Sequence, residues 1–293
     1  MKECENMIIA INYANSKYRK AQVLNTKTAY TKGKVDKVIE YSPKDIDEDF
    51  RKKNKNVFQC ERGDGYWIWK PYIILKTLKQ ADEGDYIFYA DSGSYYINRV
   101  QELINTMEKE QVSIMSFELP FLEKEYTKRE VLEAFNMWKN TKIMNSPQRL
   151  ATFILIKCNS ESKMFFEEFL CYACKNNLIT DYLRTDISQD KAFIENRHDQ
   201  SIFSLLCKKW KLPVFRDPSE YGLKPELYHF NSEYITEIKT KCNYPQILVS
   251  HRKKNPTMII RIDGFLRRSM KSSIYEHISV IRDLGIKIYK LIK

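Results

Sequence analysis

The chain has 293 residues, 43% hydrophobic and 13% aromatic, enough for one large α/β domain or two small ones, while 8 Gly and 9 Pro exclude collagen-like or low-complexity structure. Forty-nine Lys and Arg against 38 Asp and Glu leave a formal charge of +11. That charge favours phosphate-bearing partners (nucleic acid, anionic lipid or nucleotide-linked substrates) unless it is only a solvated, lysine-rich surface. The 7 Cys are scattered; the close pair Cys171 and Cys174 falls in a helical pattern, which reads as buried thiols in a reducing, cytosolic compartment. No apolar run reaches the ~18–20 residues that span a bilayer, and Met1 to Asn6 carry no leader pattern.

The elements follow in chain order. Met7 to Ile11 reads as a buried strand, 15–30 as helix and Val35 to Tyr41 as a second strand broken by Ser42-Pro43. A short acidic helix or turn covers Asp45 to Phe50, and 51–64 reads as a polar loop. Pro71 suits an early helical position, so a helix is expected to about Ala81, ended by Gly84. Residues 85–91 form a strand that stops at Asp91-Ser92-Gly93, and a helix starts near Asn98. Then come strand 112–117, helix 127–140, a long β-branched strand at 148–157, helix 161–176, an amphipathic helix 199–210 and a short strand 213–215. Residues 217–256 are irregular. From 257 to 293 basic and apolar residues interleave, as in a helix lying on an anionic membrane or in closing helices packed on the core. Strands alternating with helices imply an α/β fold with a mostly parallel, Rossmann-like sheet flanked by helices, then an irregular C-terminal part and terminal helices. Its ligand belongs at the strand carboxyl ends. The expected division is 1–256 for the catalytic domain and 257–293 for a basic C-terminal segment.

Three segments carry chemistry. The first is Gly65-Tyr66-Trp67-Ile68-Trp69-Lys70-Pro71-Tyr72 with Asp91. Its aromatic rings suit a flat wall for a base or sugar, or the core, and Lys70 suits a phosphate. Helical spacing would put Trp67 and Trp69 on different faces, one in the core and one in the site. Gly63 and Gly65 let backbone approach a ligand, and Arg62 and Asp64 suit phosphate and ribose. The second is Arg197-His198-Asp199-Gln200, where Asp199 caps a helix or serves as general base and His198 orients it. The third is Ser250-His251-Arg252-Lys253.

In this order, GYWIWKPY, YADSG, RHDQS and SHRK resemble a bacterial family of capsule and lipopolysaccharide glycosyltransferases with a GT-A-like fold, over about residues 7–255. The resemblance implies a cytoplasmic enzyme, free or peripheral on the inner face of the membrane, that moves a sugar from a nucleotide-sugar donor to a saccharide or lipid-linked glycan acceptor. It implies donor binding by Arg62, Tyr66, Trp67, Trp69, Lys70, Asp91 and Gly93, and catalysis by Asp199 with His198. A divalent metal, manganese (Mn²⁺) or Mg²⁺, is implied on Asp91 and His251. Gly93 stands where such enzymes have a second metal-binding Asp, so Lys70, Arg62, Arg252 and Lys253 are the alternative carriers of the phosphate charge. The Asp199-Gln200 order resembles glycogenin-like transferases, which implies a retaining hexosyl transfer. The rivals are a basic nucleic-acid-binding protein, though no such motif is present, and a GT-A-like scaffold without catalysis.

Overall fold

The computed structural model describes residues 6–175, 177–228, 242–256 and 258–270. Its centre is a six-stranded sheet of β1 (Ile8–Tyr13), β2 (Lys37–Tyr41), β3 (Tyr86–Ala90), β5 (Ile114–Leu122), β6 (Pro147–Lys157) and β7 (Val214–Phe215), in the order β2-β1-β3-β6-β5-β7. β1 runs parallel to β2 and β3, and β5 runs parallel to β7. β6 is antiparallel to both its neighbours and is the one reversed strand of the sheet. The α/β class with a mainly parallel sheet between helices is therefore the one the alternating pattern implies. β4 (Ser94–Tyr96) and β8 (Leu248–Ser250) form a separate antiparallel pair.

The period-2 pleat divides the core. Along β1, Ile9, Ile11 and Tyr13 enter one apolar layer, and Ile8 and Ala10 enter the other. The first layer is closed by the helices Trp69–Leu78, Ser160–Ala173 and Asp199–Lys209; the second is closed by Gln101–Lys109. The helix Arg19–Thr28 docks through buried amides. Asn12 donates to Asn25 at 2.9 Å, Gln22 donates to Asn12 at 2.9 Å, and Asn25 donates to the Ser94 carbonyl at 3.1 Å. These bonds tie the end of β1 to the turn after β3.

Several boundaries differ from those expected, each for a local reason. Residues 51–64 hold helical turns within Glu48–Lys53 and Lys55–Phe58. The helix expected at 127–140 is confined to Arg129–Ala134, with Asn136 and Lys139 beyond it at positive φ. β5 runs on through Pro120 to Leu122 because register shifts absorb the missing N–H. The irregular stretch from 217 contains β8, whose three residues are too few to show a period. Of the basic C-terminal segment, the helix Met258–Ser269 is described, and Gly264 lies against Tyr95 and Val249 of the small sheet. Residues 271–293 lie outside the described residues. Among the described residues, no helix is long and apolar enough to cross a membrane.

Candidate active site

A cleft of about 630 Å³ opens at the carboxyl edge of β1 and β3, a size that suits a nucleotide-scale ligand. Its floor comes from the ends of those strands (Tyr13, Ala14, Asn15, Asp91, Ser92, Gly93) and from Ala151 and Thr152 of the reversed β6. Lys70 and Asp199 enter from the first turns of the two helices that begin at this edge. Parallel topology delivers both N-termini here, where the helix dipoles favour negative charge.

Lys70 is 3% exposed and sits at the centre. Its ammonium lies 2.5 Å from Asp199 Oδ2 and 3.6 Å from Asp91 Oδ1, and it donates to the Ala151 carbonyl at 3.0 Å. The Asp199 contact is a buried ion pair. The Tyr89 ring lies 5.2 Å from the ammonium, and the Tyr89 hydroxyl donates to Asp91 Oδ1. Burial works against the lysine charge, but Asp199 and Asp91 outweigh it and hold its pKa above the ordinary value. Burial raises Asp199 from 3.8 to about 6 against the pull of Lys70. The centre is therefore an ammonium held between the side chains of Asp199 and Asp91.

The wall carrying Trp67 is a left-handed turn. Gly63, Asp64, Gly65, Tyr66 and Trp67 all have positive φ (61, 56, 90, 52 and 61°). Three of these are not glycine, and each L-residue held left-handed costs about 1–2 kcal/mol. The turn is closed by Gly65 N–H to Cys60 O at 2.9 Å, Tyr66 N–H to Arg62 O at 2.8 Å and Trp69 Nε1–H to Gly63 O at 2.9 Å. The Tyr13 hydroxyl donates to the Asp64 carboxylate, and Tyr13 stacks on Trp69 with centroids 3.8 Å apart. Helical spacing therefore does not apply to Trp67. Both Trp67 and Trp69 border the cleft, with Trp69 locked and Trp67 half-buried. Tyr66 is not in the lining; its ring packs on His198 at 5.0 Å.

His198 has φ 53° and ψ −119°, a conformation that glycine favours. Its Nδ1 faces the Ile179 carbonyl at 2.9 Å, so Nδ1 carries the proton. Nε2 is buried without a hydrogen-bond partner, 3.6 Å from Asp181 Oδ1, and burial lowers the imidazole pKa. The loop that supplies Ile179 and Asp181 is held from beneath by Lys128. This lysine is 1% exposed and donates to the carbonyls of Asn177, Thr180 and Tyr182 at 2.9, 2.9 and 2.7 Å. Burial lowers its pKa to about 8. Lys128 escaped sequence reading because a lone lysine in a helical pattern resembles any solvated one.

Gly93 has a packing reason. His251 N–H and Arg252 N–H both donate to its carbonyl, at 2.8 and 2.9 Å, and a Cβ there would lie 3.1 Å from the Arg252 Cα. A protein-held divalent ion needs several oxygen or imidazole donors aimed at one point. Among the described residues, no group of three or more His, Cys, Asp or Glu is placed to hold one. Asp91 is engaged by Tyr89 and Lys70. His251 lies outside the lining, stacked on Tyr95 at 6.2 Å, with Nδ1 accepting from Lys253 N–H at 3.0 Å. The donor set between Asp91 and His251 does not fit a metal held by the protein alone.

The rim is cationic. Lys17, Arg62, Arg252 and Lys254 line it, while Lys253 does not. The Arg62 guanidinium is paired with Asp181 at 3.3 Å and Glu195 at 3.4 Å, bridging the left-handed turn to the opposite loops. The cleft thus gathers Arg62, Trp67, Trp69, Lys70, Asp91, Gly93, His198 and Asp199 from distant sequence. It also uses Gln200, named with Asp199 in the sequence, and Tyr13, Ala14 and Asn15, which sequence reading missed. These three stand at the carboxyl end of the first strand, where the same edge rule would have found them.

No protein-family model matches this sequence, and no curated protein matches it. Among solved structures, mouse xyloside xylosyltransferase 1 superposes with a TM-score of 0.46 at 9% identity, over 86% of this chain and 99% of its own. The glycosyltransferase GlyE of Streptococcus pneumoniae TIGR4 gives 0.41 at 11% identity, over 95% of this chain and 64% of its own. The galactosyltransferase LgtC, solved with donor and acceptor sugar analogues, gives 0.43 at 13% identity, over 83% and 87%. All three fall below a TM-score of 0.5 and assign nothing to this chain.

Two outcomes test this geometry. His198→Gly should be more stable than His198→Ala by about 1–3 kcal/mol in urea unfolding, since both lack the imidazole and differ in the Cβ that positive φ disfavours; equal stabilities would remove the strain. Lys70→Met should lose about 3–5 kcal/mol at pH 8, because Asp199 is left buried and uncompensated. Without the ammonium, the folded-state pKa of Asp199 rises further above its unfolded value. The deficit should therefore shrink as the pH falls toward 6 and the carboxyl takes a proton; a deficit independent of pH would contradict the pairing.

Proposed function

We propose that this chain is a glycosyltransferase that moves a sugar from a nucleotide-sugar donor to a hydroxyl acceptor. The supporting observation is the buried Lys70 shared by Asp91 and Asp199 at the carboxyl edge of the sheet, ringed by Lys17, Arg62, Arg252 and Lys254. The base and ribose are assigned to the end of β1 beside Tyr13, Ala14 and Asn15, and the diphosphate to the rim and the two helix N-termini. The sugar then faces His198, Asp199 and Gln200. In transfer, the acceptor oxygen bonds to the anomeric carbon and the bond to phosphate breaks. The electron pair leaves with the nucleoside diphosphate, whose growing charge the rim cations meet. Asp199 takes the acceptor proton.

The coarse assignment rests on the cleft. The finer one, a retaining hexosyl transfer to a saccharide or lipid-linked glycan in capsule or lipopolysaccharide assembly at the cytoplasmic face, rests on the motif resemblance. The division of the chain at residues 256 and 257, with the basic segment against anionic membrane, rests on the basic amphipathic pattern of 257–293. A metal, where the reaction uses one, would have to be carried largely by the donor diphosphate.

A thermal-shift panel of nucleotide sugars tests the assignment. One donor should stabilise the chain, by about 2.7 kcal/mol at a hundredfold excess over its dissociation constant. The shift should persist in EDTA, and a shift seen only with Mn²⁺ would sink the role given to the rim cations. Steeply salt-dependent DNA binding without any response to nucleotides would replace the assignment with nucleic-acid binding. With the correct donor, transfer should fall below pH 6, since Asp199 must be a carboxylate and its pKa is about 6. Asp199→Asn should abolish that transfer at every pH, and full activity in this variant would remove Asp199 from the mechanism.

A further inference from the structure

Behind Gln200 lies a buried polar chain that the transfer reaction does not itself require. Glu123 is fully buried; it accepts from Lys208 at 2.6 Å, from Thr127 Oγ1 at 2.5 Å and from Ser204 Oγ. Beside it Gln148, also fully buried, places Nε2 3.1 Å from the Tyr126 carbonyl, 2.9 Å from Thr127 Oγ1 and 3.4 Å from Glu123 Oε2. The carbonyl is an acceptor only, and Thr127 gives its proton to Glu123. A reversed Gln148 amide would aim oxygen at oxygen on every side. Gln148 Oε1 must therefore face outward, where Gln200 Nε2 meets it at 2.8 Å. A reversed Gln200 would again set oxygen against oxygen. Among the described residues nothing donates to Gln200 Oε1, and Gln200 lines the cleft.

We infer that Gln148 is a positioning residue that fixes the Gln200 amide with its oxygen toward the ligand, so that Gln200 and Asp199 form a wall of acceptors that recognises the hydroxyl groups of an uncharged sugar. The Asp199 carboxylate is the second acceptor of that wall. Such a wall suits groups that donate O–H or N–H. It repels a carboxylate, so a sugar acid is selected against. The inference rests on the sugar-transfer assignment and adds to it the class of sugar and the residue that enforces it.

Calorimetric titration of the full chain decides it. The ligands are the nucleoside diphosphate, the nucleotide sugar found in the panel and its uronic-acid counterpart. The wild type should bind the neutral sugar at least about tenfold tighter than the sugar acid. Gln148→Leu should weaken the neutral nucleotide sugar about fivefold, the worth of one neutral hydrogen bond. It should leave the bare diphosphate unchanged, and it should add no loss in a Gln200→Leu background. Equal losses for both ligands, additive losses in the double variant, or a sugar acid bound as tightly as the neutral sugar would each overturn the inference and leave the transferase assignment standing. Absence of binding to any nucleotide sugar by the wild type would overturn both. If Gln148→Leu does not fold, the comparison of neutral and acidic sugars on the wild type decides alone.

Discussion

The structure depends on an ammonium taken out of water. Lys70 is anchored in one helix, pairs with the first residue of a second helix 129 positions later and with the carboxylate ending β3, and donates to a carbonyl of the reversed strand β6. A buried lysine keeps its charge only if opposite charges and acceptors reach it in good geometry, and its partner carboxylates are equally costly to bury alone. The four elements must therefore dock in one register. A shift of one residue in the Trp69–Leu78 helix turns Lys70 by about 100° and strands both carboxylates. Buried ion pairs are often no better for stability than apolar packing. This one sits where the parallel topology opens a cleft, which makes a functional reason the stronger account of its presence.

Strain collects around the same cleft. Asp64, Tyr66, Trp67, His198 and Arg252 all hold positive φ without being glycine, and each belongs to the lining or packs directly behind it. A fold keeps such conformations only where its surroundings over-determine them. Here the surroundings are identifiable: the Tyr13 to Asp64 hydrogen bond, the Trp69 indole on Gly63, and the loop that Lys128 fastens beneath His198. Lys128 does for three carbonyls what a bound cation would do. Its depressed pKa places that fastening closer to titration than an exposed lysine would be.

How much of this was legible follows from which signals are local. The long strands and amphipathic helices were readable because pleat and helix periods repeat within them; β3 ending before Asp91 and the helix beginning at Asp199 lie within a residue or so of expectation. β4 and β8, three residues each, carry no period. The left-handed turn was hidden for another reason. Gly63-Asp64-Gly65 announces a bend, but nothing local says that Tyr66 and Trp67 will follow it into positive φ, since that is imposed by Tyr13 and Trp69 from elsewhere. The glycine at 93 shows the converse. Judged beside a motif it is a missing ligand; in the structure it is the contact that lets the segment after β8, which carries Arg252, lie against the cleft floor.

The division of charge within the cleft sets how a ligand can enter. At the rim Lys17, Arg62, Arg252 and Lys254 stand in or near solvent, with Glu61 and Glu195 beside them. The inner wall is different: Asp91 and Asp199 with their shared ammonium, and the fixed amide oxygen of Gln200. Long-range attraction therefore draws an anionic molecule to the mouth, while the interior accepts only hydrogen-bond donors without net negative charge. A ligand that satisfies both must be anionic at one end and hydroxyl-rich and neutral at the other, and it has one productive orientation. Arg62 adds a condition, because its guanidinium already bridges Asp181 and Glu195 across the cleft. A phosphate that recruits Arg62 must displace those carboxylates. Losing them would loosen the loop beside His198 at the moment the sugar arrives, which couples occupancy of the anionic end to the freedom of the wall that reads the neutral one.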